Sequence, residues 1–523
     1  MVLIMFWLKE FKKNFINNLL LVLLFLAIIW LRYDIPFFIL CIFIPLFHFS
    51  EINKRFLSFF SWGLIGGIIF GFGECYFLMD FSFKLYLLNA LVISPIYFLI
   101  LFLFLFLFKK IIWQKINLGY LMVFNVVDYI WEKTDLPIAL FSFIDGLAYF
   151  PFFLQLMSWG GENLVLFIFV FINYILYLLI FPFQNQFFLG KKEKLGQKKK
   201  LLFLLGLLGF IFLLGNFLSL EYFIKKTQTI SSTNLRVILV QTNFSDQEII
   251  IKNKDYNKQT IMKKDFSKIQ NQNQFLINQM IKITKTAFKE KTDLIVWPEI
   301  SYQNAHFKEG ANGNLIMFPN EGIEEVIKLV NEIKTPVLMS ALVETFQGKN
   351  RLYNAAVLVE PNREIKQFYL KSKLFVFGEK LPFWLSWSSS LRKEFGWNSE
   401  FVSPKDSNLK NRIFHYNNFN FGVLICYENS FSKIANQLSQ KNIDFMVNLS
   451  NDVIRDRREL NFQESKSVFR AIENRLPVLR ATNFGKTEVI NSIGLIEKEI
   501  APFKEGYLYS DISINKKREK EDR

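Results

Sequence analysis

The sequence predicts a multispan α-helical membrane domain followed by an α/β layered domain. Hydrophobic residues are concentrated before Leu220, in stretches long enough to cross a bilayer, for which about 20 residues suffice. After Leu220, short β-rich runs alternate with longer helical stretches, which is typical of an α/β layer fold. We therefore divide the 523 residues into a transmembrane domain, residues 1–220, and a second domain, residues 221–523.

The first domain is predicted to cross the membrane about seven times. The predicted spans run from Phe15 to Leu31, Pro36 to Phe49, Leu57 to Leu78, Tyr86 to Phe108, Tyr120 to Trp131, Asn163 to Phe183 and Leu201 to Leu218. The second and fifth are the shortest. The first span lacks the small-residue cleavage site of a signal peptide and is followed by further spans, so we expect it to be retained.

Basic residues predict the orientation of these spans. They precede the first span, follow the second and fourth, and precede the seventh: Lys9, Lys12, Lys13, Lys54, Arg55, Lys109, Lys110, Lys115, Lys191, Lys192, Lys194 and Lys198 to Lys200. Because cytoplasmic loops carry the positive excess, the amino terminus is expected inside and the second domain outside the cytoplasm. Much of the net charge of +16 lies in these loops. The charge therefore does not indicate a nucleic-acid partner.

In the second domain the pattern predicts a series of strands and helices. Strands are expected at Leu235–Gln241, Asp293–Trp297, Pro336–Leu342, Asn354–Val359, Phe419–Ile425, Ile443–Leu449 and Val478–Thr482, with helices at Phe266–Lys289 and Glu459–Arg475 and a hairpin through Gly485 and Gly494. About 300 residues of this kind are ample for one hydrophobic core.

Three residues that can perform chemistry follow apolar runs of this domain. Cys426 closes the run from Phe421 to Ile425, Glu299 follows Asp293–Pro298, and Lys371 comes after a strand and a turn. The other cysteines, Cys41 and Cys75, fall in predicted spans, so Cys426 is expected to be a free thiol. The combination of carboxylate, ammonium and thiol indicates nucleophilic catalysis. Each residue alone has a structural alternative: a helix cap for Glu299, a surface lysine for Lys371, and a core position for Cys426.

Short motifs around these residues resemble the nitrilase superfamily. In order along the chain they are Trp297-Pro298-Glu299, Tyr369-Leu370-Lys371, Phe377-Gly378-Glu379, Ile425-Cys426-Tyr427-Glu428, Asn448-Leu449-Ser450-Asn451-Asp452 and Arg480-Ala481-Thr482-Asn483-Phe484-Gly485. Together with the multispan amino-terminal half, they resemble the apolipoprotein N-acyltransferases, which complete bacterial lipoprotein maturation.

The resemblance implies a four-layer αββα nitrilase-like sandwich on the periplasmic side of the bacterial inner membrane. It implies a catalytic triad of Glu299, Lys371 and Cys426. A phospholipid would donate an acyl chain to Cys426 as a thioester, and the α-amino group of a diacylglyceryl apolipoprotein would accept it as an amide. We expect Glu299 to act as base, and Lys371 with the Tyr427 backbone amide to stabilise the oxyanion. No metal or organic cofactor is required, and we expect a monomer.

Further residues are expected to support this site. Glu379 would orient Lys371 or meet the incoming amine, and Glu428 would position the turn of the nucleophile; an ion pair with Lys380 or Arg480 is the alternative for either. Tyr427 would shape the acyl entrance or pack. Two further predictions concern substrate contacts: Asn448 and Ser450 would line the floor of the pocket, and Trp384 and Trp387 would lie in an aromatic flap that enters the lipid interface, with core packing as the alternative.

The sequence departs from the family pattern in places. After Asp452 the family usually has Trp, Phe and Gly, whereas this chain reads Val453-Ile454-Arg455-Asp456-Arg457, and the final span of the family is replaced by a charged segment ending at Arg523. An acyltransferase with another acceptor therefore stays open, as do a membrane-anchored amidohydrolase and a non-catalytic lipoprotein-binding protein.

Overall fold

The computed structural model describes most of the chain. The described residues are 2–74, 76, 79, 83–108, 112–113, 116–117, 120, 122–124, 126–127, 142–181, 191–228, 232–243, 266–289, 291–299, 307–309, 315–317, 321–345, 351–361, 365, 367–376, 379–380, 403, 412–452 and 457–515. The chain divides into two compact units, Met1–Leu220 and Glu221–Arg523.

The first unit is helical. Its helices are α1 (Val2–Trp30), α2 (Ile44–Ile52), α3 (Phe56–Glu74), α4 (Phe83–Leu88), α5 (Ser94–Phe108), α6 (Met157–Ile180) and α7 (Lys191–Gln228), with a short hairpin of β1 (Ile112–Trp113) and β2 (Ile116–Asn117) after α5. A π-helical segment, Asn89–Ile93, joins α4 to α5, and single helical turns lie at Pro36–Leu40, Asp145–Tyr149 and Pro151–Leu154.

Several of these helices have the length and composition of membrane spans. Among the described residues, four segments qualify: Phe56–Gly73, Tyr86–Phe108, Met157–Ile180 and Lys198–Lys225. Two shorter apolar segments, Phe15–Trp30 and Pro36–Ile52, lie where the first two spans were predicted. The chain is therefore a membrane protein. The number of seven spans stays a prediction, since part of the predicted fifth span lies outside the described residues.

Buried amide side chains connect the helices of the first unit. Asn18 and Asn53 exchange hydrogen bonds through their amides at 3.2 and 2.9 Å. Asn173 accepts from the Phe43 backbone N–H at 3.0 Å and donates to the Ile39 carbonyl at 2.6 Å. Hydrogen bonds between helices in an apolar environment fix their relative positions, because the alternative is an unpaired polar group.

The second unit contains two sheets. The larger sheet has the order β16-β3-β4-β7-β5-β6, with β8 paired to β7 and β9 paired to β8. Its strands are β3 (Ser232–Gln241), β4 (Leu294–Val296), β5 (Phe307–Glu309), β6 (Leu315–Met317), β7 (Val337–Thr345), β8 (Arg351–Val359), β9 (Gln367–Leu370) and β16 (Gly506–Asn515). The smaller sheet runs β10 (Ile413–Tyr416), β11 (Phe419–Ile425), β12 (Phe445–Ser450), β13 (Val478–Thr482), β14 (Thr487–Ile490) and β15 (Ile496–Ile500).

The alternation of side chains along the strands explains how the sheets stack. In β3, Leu235, Val237 and Leu239 join a buried cluster shared with Val423 and Val447 of the smaller sheet. The intervening residues of β3 face a second cluster, which is formed with helices α8 (Phe266–Ala287) and α9 (Glu321–Ile333). Because side chains alternate between the faces of a sheet, one face of β3 packs on the other sheet and one on helices.

Helices cover the outer face of the smaller sheet as well. Helix α10 (Ser432–Ser439) contacts β11, and α11 (Arg457–Asn474) contacts β13 and β14. Gly422 of β11 lies so close to Leu438 of α10 that a Cβ atom there would meet its side chain at 3.1 Å. The layers are thus helix, sheet, sheet and helix, and the predicted αββα architecture is confirmed.

One buried carboxyl group of the smaller sheet lacks a hydrogen-bond donor. Glu488 of β14 is fully buried, and neither of its carboxylate oxygens accepts a hydrogen bond from the described residues. Burial, and then the nearby Glu464, raise the pKa of Glu488 well above its ordinary value. The folded protein therefore disfavours the charged form of this side chain.

Glu488→Gln should therefore change how stability depends on pH. The folded-state pKa of Glu488 lies above the unfolded value of about 4.3. Protonated Glu488 therefore contributes fully to the free energy of unfolding below about pH 4.3, and this contribution is lost as pH rises through the folded pKa. Glutamine does not titrate. In detergent, the melting temperature of the variant should rise relative to that of the wild type as pH increases from 4 through neutrality. Each kcal/mol of relative stability corresponds to about 2–4 °C. The exposed Glu505→Gln should show no such trend, and a constant difference between Glu488→Gln and wild type would contradict this account.

Candidate active site

The predicted catalytic residues lie just beyond the ends of strands. Glu299 follows β4 after Trp297 and Pro298, Lys371 directly follows β9, and Cys426 directly follows β11. Strands β11, β12 and β13 run parallel, with Leu424 opposite Asn448 in the register. Because the carboxyl ends of parallel strands meet at one edge of a sheet, Cys426 and the end of β12 share that edge.

Lys371 is held between two glutamates. Its side chain is 1% exposed, and its Nζ lies 3.0 Å from Glu299 Oε1 and 2.9 Å from Glu379 Oε1. Burial alone would lower the pKa of Lys371, but the two carboxylates outweigh it and raise the pKa well above its ordinary value. Lys371 is therefore a buried permanent cation, which excludes the surface-lysine alternative.

Asn354 of β8 completes this arrangement. Its Nδ2 donates to Glu299 Oε1 at 2.8 Å and to Glu379 Oε1 at 2.9 Å. Its backbone carbonyl accepts from the Lys371 backbone N–H at 2.8 Å. Both carboxylates are thus fixed relative to the ammonium. From the sequence, Asn354 was predicted only to begin a strand. A polar residue opening an otherwise apolar run was the available signal.

Cys426 begins a tight helical turn, Cys426–Ser430, directly after a strand, and the turn is largely buried rather than exposed as predicted. The backbone φ of Cys426 is 49°, in the left-handed region that non-glycine residues rarely adopt, and its thiol is free. Such backbone strain is concentrated at functional sites. The side chain is neither fully buried nor fully exposed, and it lies close enough to Glu299 and Lys371 for both to affect its titration.

The electrostatics of the site place a proton on the resting thiol. Burial, then Glu299, raise the pKa of Cys426 well above its ordinary value, and Lys371 only partly opposes them. Burial also raises the pKa of Glu299, with Lys371 acting in the opposite direction. A carboxylate with a raised pKa is a better proton acceptor, so Glu299 is suited to remove the thiol proton.

Glu428 links the nucleophile to the segment after β9. Its Oε2 accepts from the Ile425 backbone N–H at 3.0 Å, next to Cys426. Its Oε1 accepts from the backbone N–H groups of Ser372 and Lys373 at 2.9 and 3.2 Å and from the Tyr369 hydroxyl at 2.5 Å. Lys371 lies between Tyr369 and Ser372. One carboxylate therefore holds the backbone beside both Cys426 and Lys371.

The ion-pair alternatives considered for these two glutamates take a different form in the structure. Glu379 pairs with Lys371, and the cation next to Glu428 is Arg412, whose Nη2 lies 3.6 Å from Glu428 Oε1. Arg480 instead forms a buried ion pair with Asp452. Burial of Glu428 also excludes a solvated pair, since none of its side chain is exposed.

The remaining predicted residues lie in different environments. Tyr427 is buried, with its ring 5.4 Å from Phe375 and 5.0 Å from Phe431, which favours the packing alternative. Asn448 Nδ2 donates to the carbonyls of Leu424 and Cys426 at 3.2 and 3.5 Å, so it supports the nucleophile from the neighbouring strand.

Ser450 donates to Asp452 Oδ1 at 2.6 Å, and the other oxygen of that carboxylate accepts from Arg480. The role predicted for Ser450 in a pocket floor stays a prediction. Trp384 and Trp387 lie outside the described residues, so the aromatic flap also stays a prediction.

One acidic cluster of the described residues has oxygens spaced as metal ligands are. Carboxylate oxygens of Glu464, Glu488 and Glu499 lie within 4.8 Å of one another. Lys486 already donates to Glu464, and the raised pKa of Glu488 disfavours a second charge. The charges of the cluster are therefore reduced by groups of the protein itself.

The sequence of the second unit matches a known family. Residues 261–520 match the profile of the family described as Carbon-nitrogen hydrolase. The second unit thus contains a carbon-nitrogen hydrolase domain. The predicted nitrilase superfamily membership is thereby confirmed.

Carbon-nitrogen hydrolase relatives with curated names resemble part of the chain. Apolipoprotein N-acyltransferase 1 of Treponema denticola is 32% identical over 248 residues, which cover 42% of this chain and 43% of that protein. Apolipoprotein N-acyltransferase of Borreliella burgdorferi is 30% identical over 248 residues, covering 46% and 45%. The chain thus spans less than half the length of these relatives. Among solved structures, Nit3 of Saccharomyces cerevisiae aligns with 54% of this chain and 90% of its own at 16% identity and a TM-score of 0.38.

The charges of the carbon-nitrogen hydrolase site predict opposite effects of two substitutions on Cys426. Glu299→Gln removes a charge that raises the thiol pKa, so alkylation of Cys426 by iodoacetamide should reach half of its maximal rate at a lower pH. Lys371→Met removes a charge that lowers the pKa, so the midpoint should move to higher pH. Rates are measured by mass spectrometry with Cys41 and Cys75 replaced by serine. Identical midpoints, or shifts in the same direction, would contradict the arrangement.

Proposed function

We propose that the chain is a phospholipid-dependent N-acyltransferase acting on lipoproteins. It would transfer an acyl chain through a Cys426 thioester to the α-amino group of the diacylglyceryl cysteine of an apolipoprotein. The observation that carries this proposal is the buried Lys371 between Glu299 and Glu379, beside a free thiol at a strained turn. The apolar helices of the first unit and the names of the similar proteins support a lipid substrate and a lipoprotein acceptor.

In the first step, Glu299 takes the proton of the Cys426 thiol while the sulfur attacks the ester carbonyl of the phospholipid. The tetrahedral intermediate carries its negative charge on oxygen, where Lys371 and the Tyr427 backbone N–H stabilise it. When the carbon–oxygen bond breaks, Glu299 returns the proton to the departing alkoxide. The products are the acyl thioester on Cys426 and a lysophospholipid.

In the second step, the amine of the acceptor attacks the thioester carbonyl. Glu299 takes a proton from the attacking nitrogen, and the collapse of the tetrahedral intermediate forms the amide. The sulfur leaves as a thiolate and recovers its proton from Glu299. Both steps therefore use Glu299 as the base and Lys371 as the cation, as expected for a reaction that proceeds through a covalent intermediate.

The cellular location follows from the same proposal. Loops rich in lysine and arginine would lie in the cytoplasm, so the second unit would lie on the periplasmic face of the inner membrane. Phospholipid would then be available from the outer leaflet, and acceptor lipoproteins are anchored in that leaflet by their diacylglyceryl groups. Trp384 and Trp387 would enter the lipid interface near the site.

The test is to follow the acyl group through both steps by mass spectrometry. Purified protein in detergent is mixed with phosphatidylethanolamine, then with a diacylglyceryl-cysteine peptide that has a free α-amino group. We expect an acyl adduct on Cys426 that disappears as the N-acyl peptide forms. Cys426→Ser should not form the thioester, and Glu299→Gln should form it at a rate reduced by about 10²–10⁴-fold.

Two controls separate this activity from its alternatives. A peptide with an acetylated α-amino group should leave the adduct in place. If the adduct decays equally fast with no peptide, the enzyme is a hydrolase, and if no phospholipid acylates Cys426, the acyltransferase proposal is wrong.

A further inference from the structure

Arg412 is a buried cation next to the proposed site, and no motif of the sequence marks it. It immediately precedes β10, and its side chain is 3% exposed. Its Nη2 lies 3.6 Å from Glu428 Oε1 and donates to Ser372 Oγ, and its guanidinium carbon lies 4.7 Å from the centre of the Tyr369 ring. Arg412 thus contacts the same groups that Glu428 organises.

The burial of Arg412 is not explained by packing stability. Its Nε and Nη1 are buried, and no described residue accepts a hydrogen bond from either. Removing a guanidinium from water costs several kcal/mol. An ion pair offsets this cost only when the other N–H groups of the guanidinium also have hydrogen-bond partners. An apolar residue of similar size would fill the position at lower cost. A buried group with unmet donors calls for another role.

The contacts of Glu428 supply that role. Glu428 accepts N–H donors at both carboxylate oxygens, from Ile425 at Oε2 and from Ser372 and Lys373 at Oε1. These bonds join the backbone before Cys426 to the backbone after Lys371. The groups that face it are the Tyr369 hydroxyl, the Ser372 hydroxyl and Arg412.

Lys373, although close in sequence, directs its ammonium over the Phe431 ring at 5.2 Å. Among the described residues, Arg412 is therefore the cation within 4 Å of Glu428. It provides the counter-charge that a fully buried carboxylate needs.

We propose that Arg412 is a positioning residue for the reaction. It pairs with Glu428 and holds Ser372, and through them it fixes the backbone beside Lys371 relative to the turn of Cys426. This inference rests on the proposed function for its effect on acylation, because misplacing reacting groups by about 1 Å can cost 10²-fold in rate. Arg412 itself touches neither the thiol nor the Lys371 ammonium in any contact of the described residues.

The test compares Arg412→Met and Arg412→Lys with wild type in single-turnover acylation by phosphatidylethanolamine. Arg412→Met should lower the maximal rate by about 10²-fold without changing the half-saturating lipid concentration. Arg412→Lys keeps the charge and should recover most of the rate. The matched control is Arg470→Met, which removes another buried arginine paired with a glutamate, Glu473, at 3.0 Å on α11. It should lower the melting temperature without lowering the acylation rate.

A double variant distinguishes positioning from a general loss of structure. Arg412→Met and Glu428→Gln act on the same link, so their combination should be hardly slower than the slower single variant. Independent effects would instead multiply. If Arg412→Met does not fold, Arg412→Gln takes its place, because it removes the charge and retains a polar side chain.

The outcome for Arg412 can be read separately from the proposed function. Iodoacetamide alkylation of Cys426 needs no lipid, and loosening Lys371 from the thiol should move its midpoint to higher pH in Arg412→Met. If wild type alkylates normally but is not acylated, the proposed function is wrong and the midpoint alone decides the role of Arg412. Acylation within about 3-fold of wild type, or an unchanged midpoint when wild type is not acylated, would overturn the inference.

Discussion

The site depends on the burial of one ammonium group between two carboxylates. Lys371 is 1% exposed, and Glu299 and Glu379 each lie about 3 Å from its Nζ. A buried charge is tolerated only when it is paired and hydrogen-bonded, and Asn354 satisfies both carboxylates at once. The result is a cation that cannot leave or lose its proton. An oxyanion forming beside it would meet a charge already oriented, with little reorganisation of the surroundings.

A second buried carboxylate connects this charge to the nucleophile. Glu428 spans from the Ile425 backbone, next to Cys426, to the backbone of Ser372, next to Lys371. The two halves of the site come from different sheets, since β9 belongs to the larger sheet and β11 to the smaller. Hydrogen bonds between Gln367 of β9 and the His415 backbone of β10 also join the two sheets, but they lie away from Cys426 in the sequence. Glu428 adds directional hydrogen bonds next to Cys426, and we propose that Arg412 keeps them in place.

Much of this arrangement was predictable from local sequence patterns. Apolar runs located β4 and β11, and Glu299 and Cys426 follow the ends of these strands in the structure. The same reasoning missed β16, Gly506–Asn515, although its residues partly alternate apolar and polar side chains as strand residues do. That strand is defined by its pairing with β3, about 270 residues earlier, and such a pairing has no local signal.

The sequence could not predict which charged residues pair with one another in the folded protein. Lys380 and Arg480 were candidate partners of Glu428, whereas Arg412 is the cation beside it and Arg480 is committed to Asp452. Asn354 and Ser372 also act through neighbours that are distant in sequence. These contacts depend on sheet register and on which loops meet, so they are set by tertiary structure after the elements form.

The most direct test of the central claim is the single-turnover acylation rate of Lys371→Met beside that of Lys371→Arg, with thermal unfolding to show that both are folded. If the buried cation stabilises the oxyanion, Lys371→Met should acylate Cys426 about 10²–10³-fold more slowly than wild type, and Lys371→Arg should retain part of the rate. A folded Lys371→Met that forms the thioester at the wild-type rate would contradict the account.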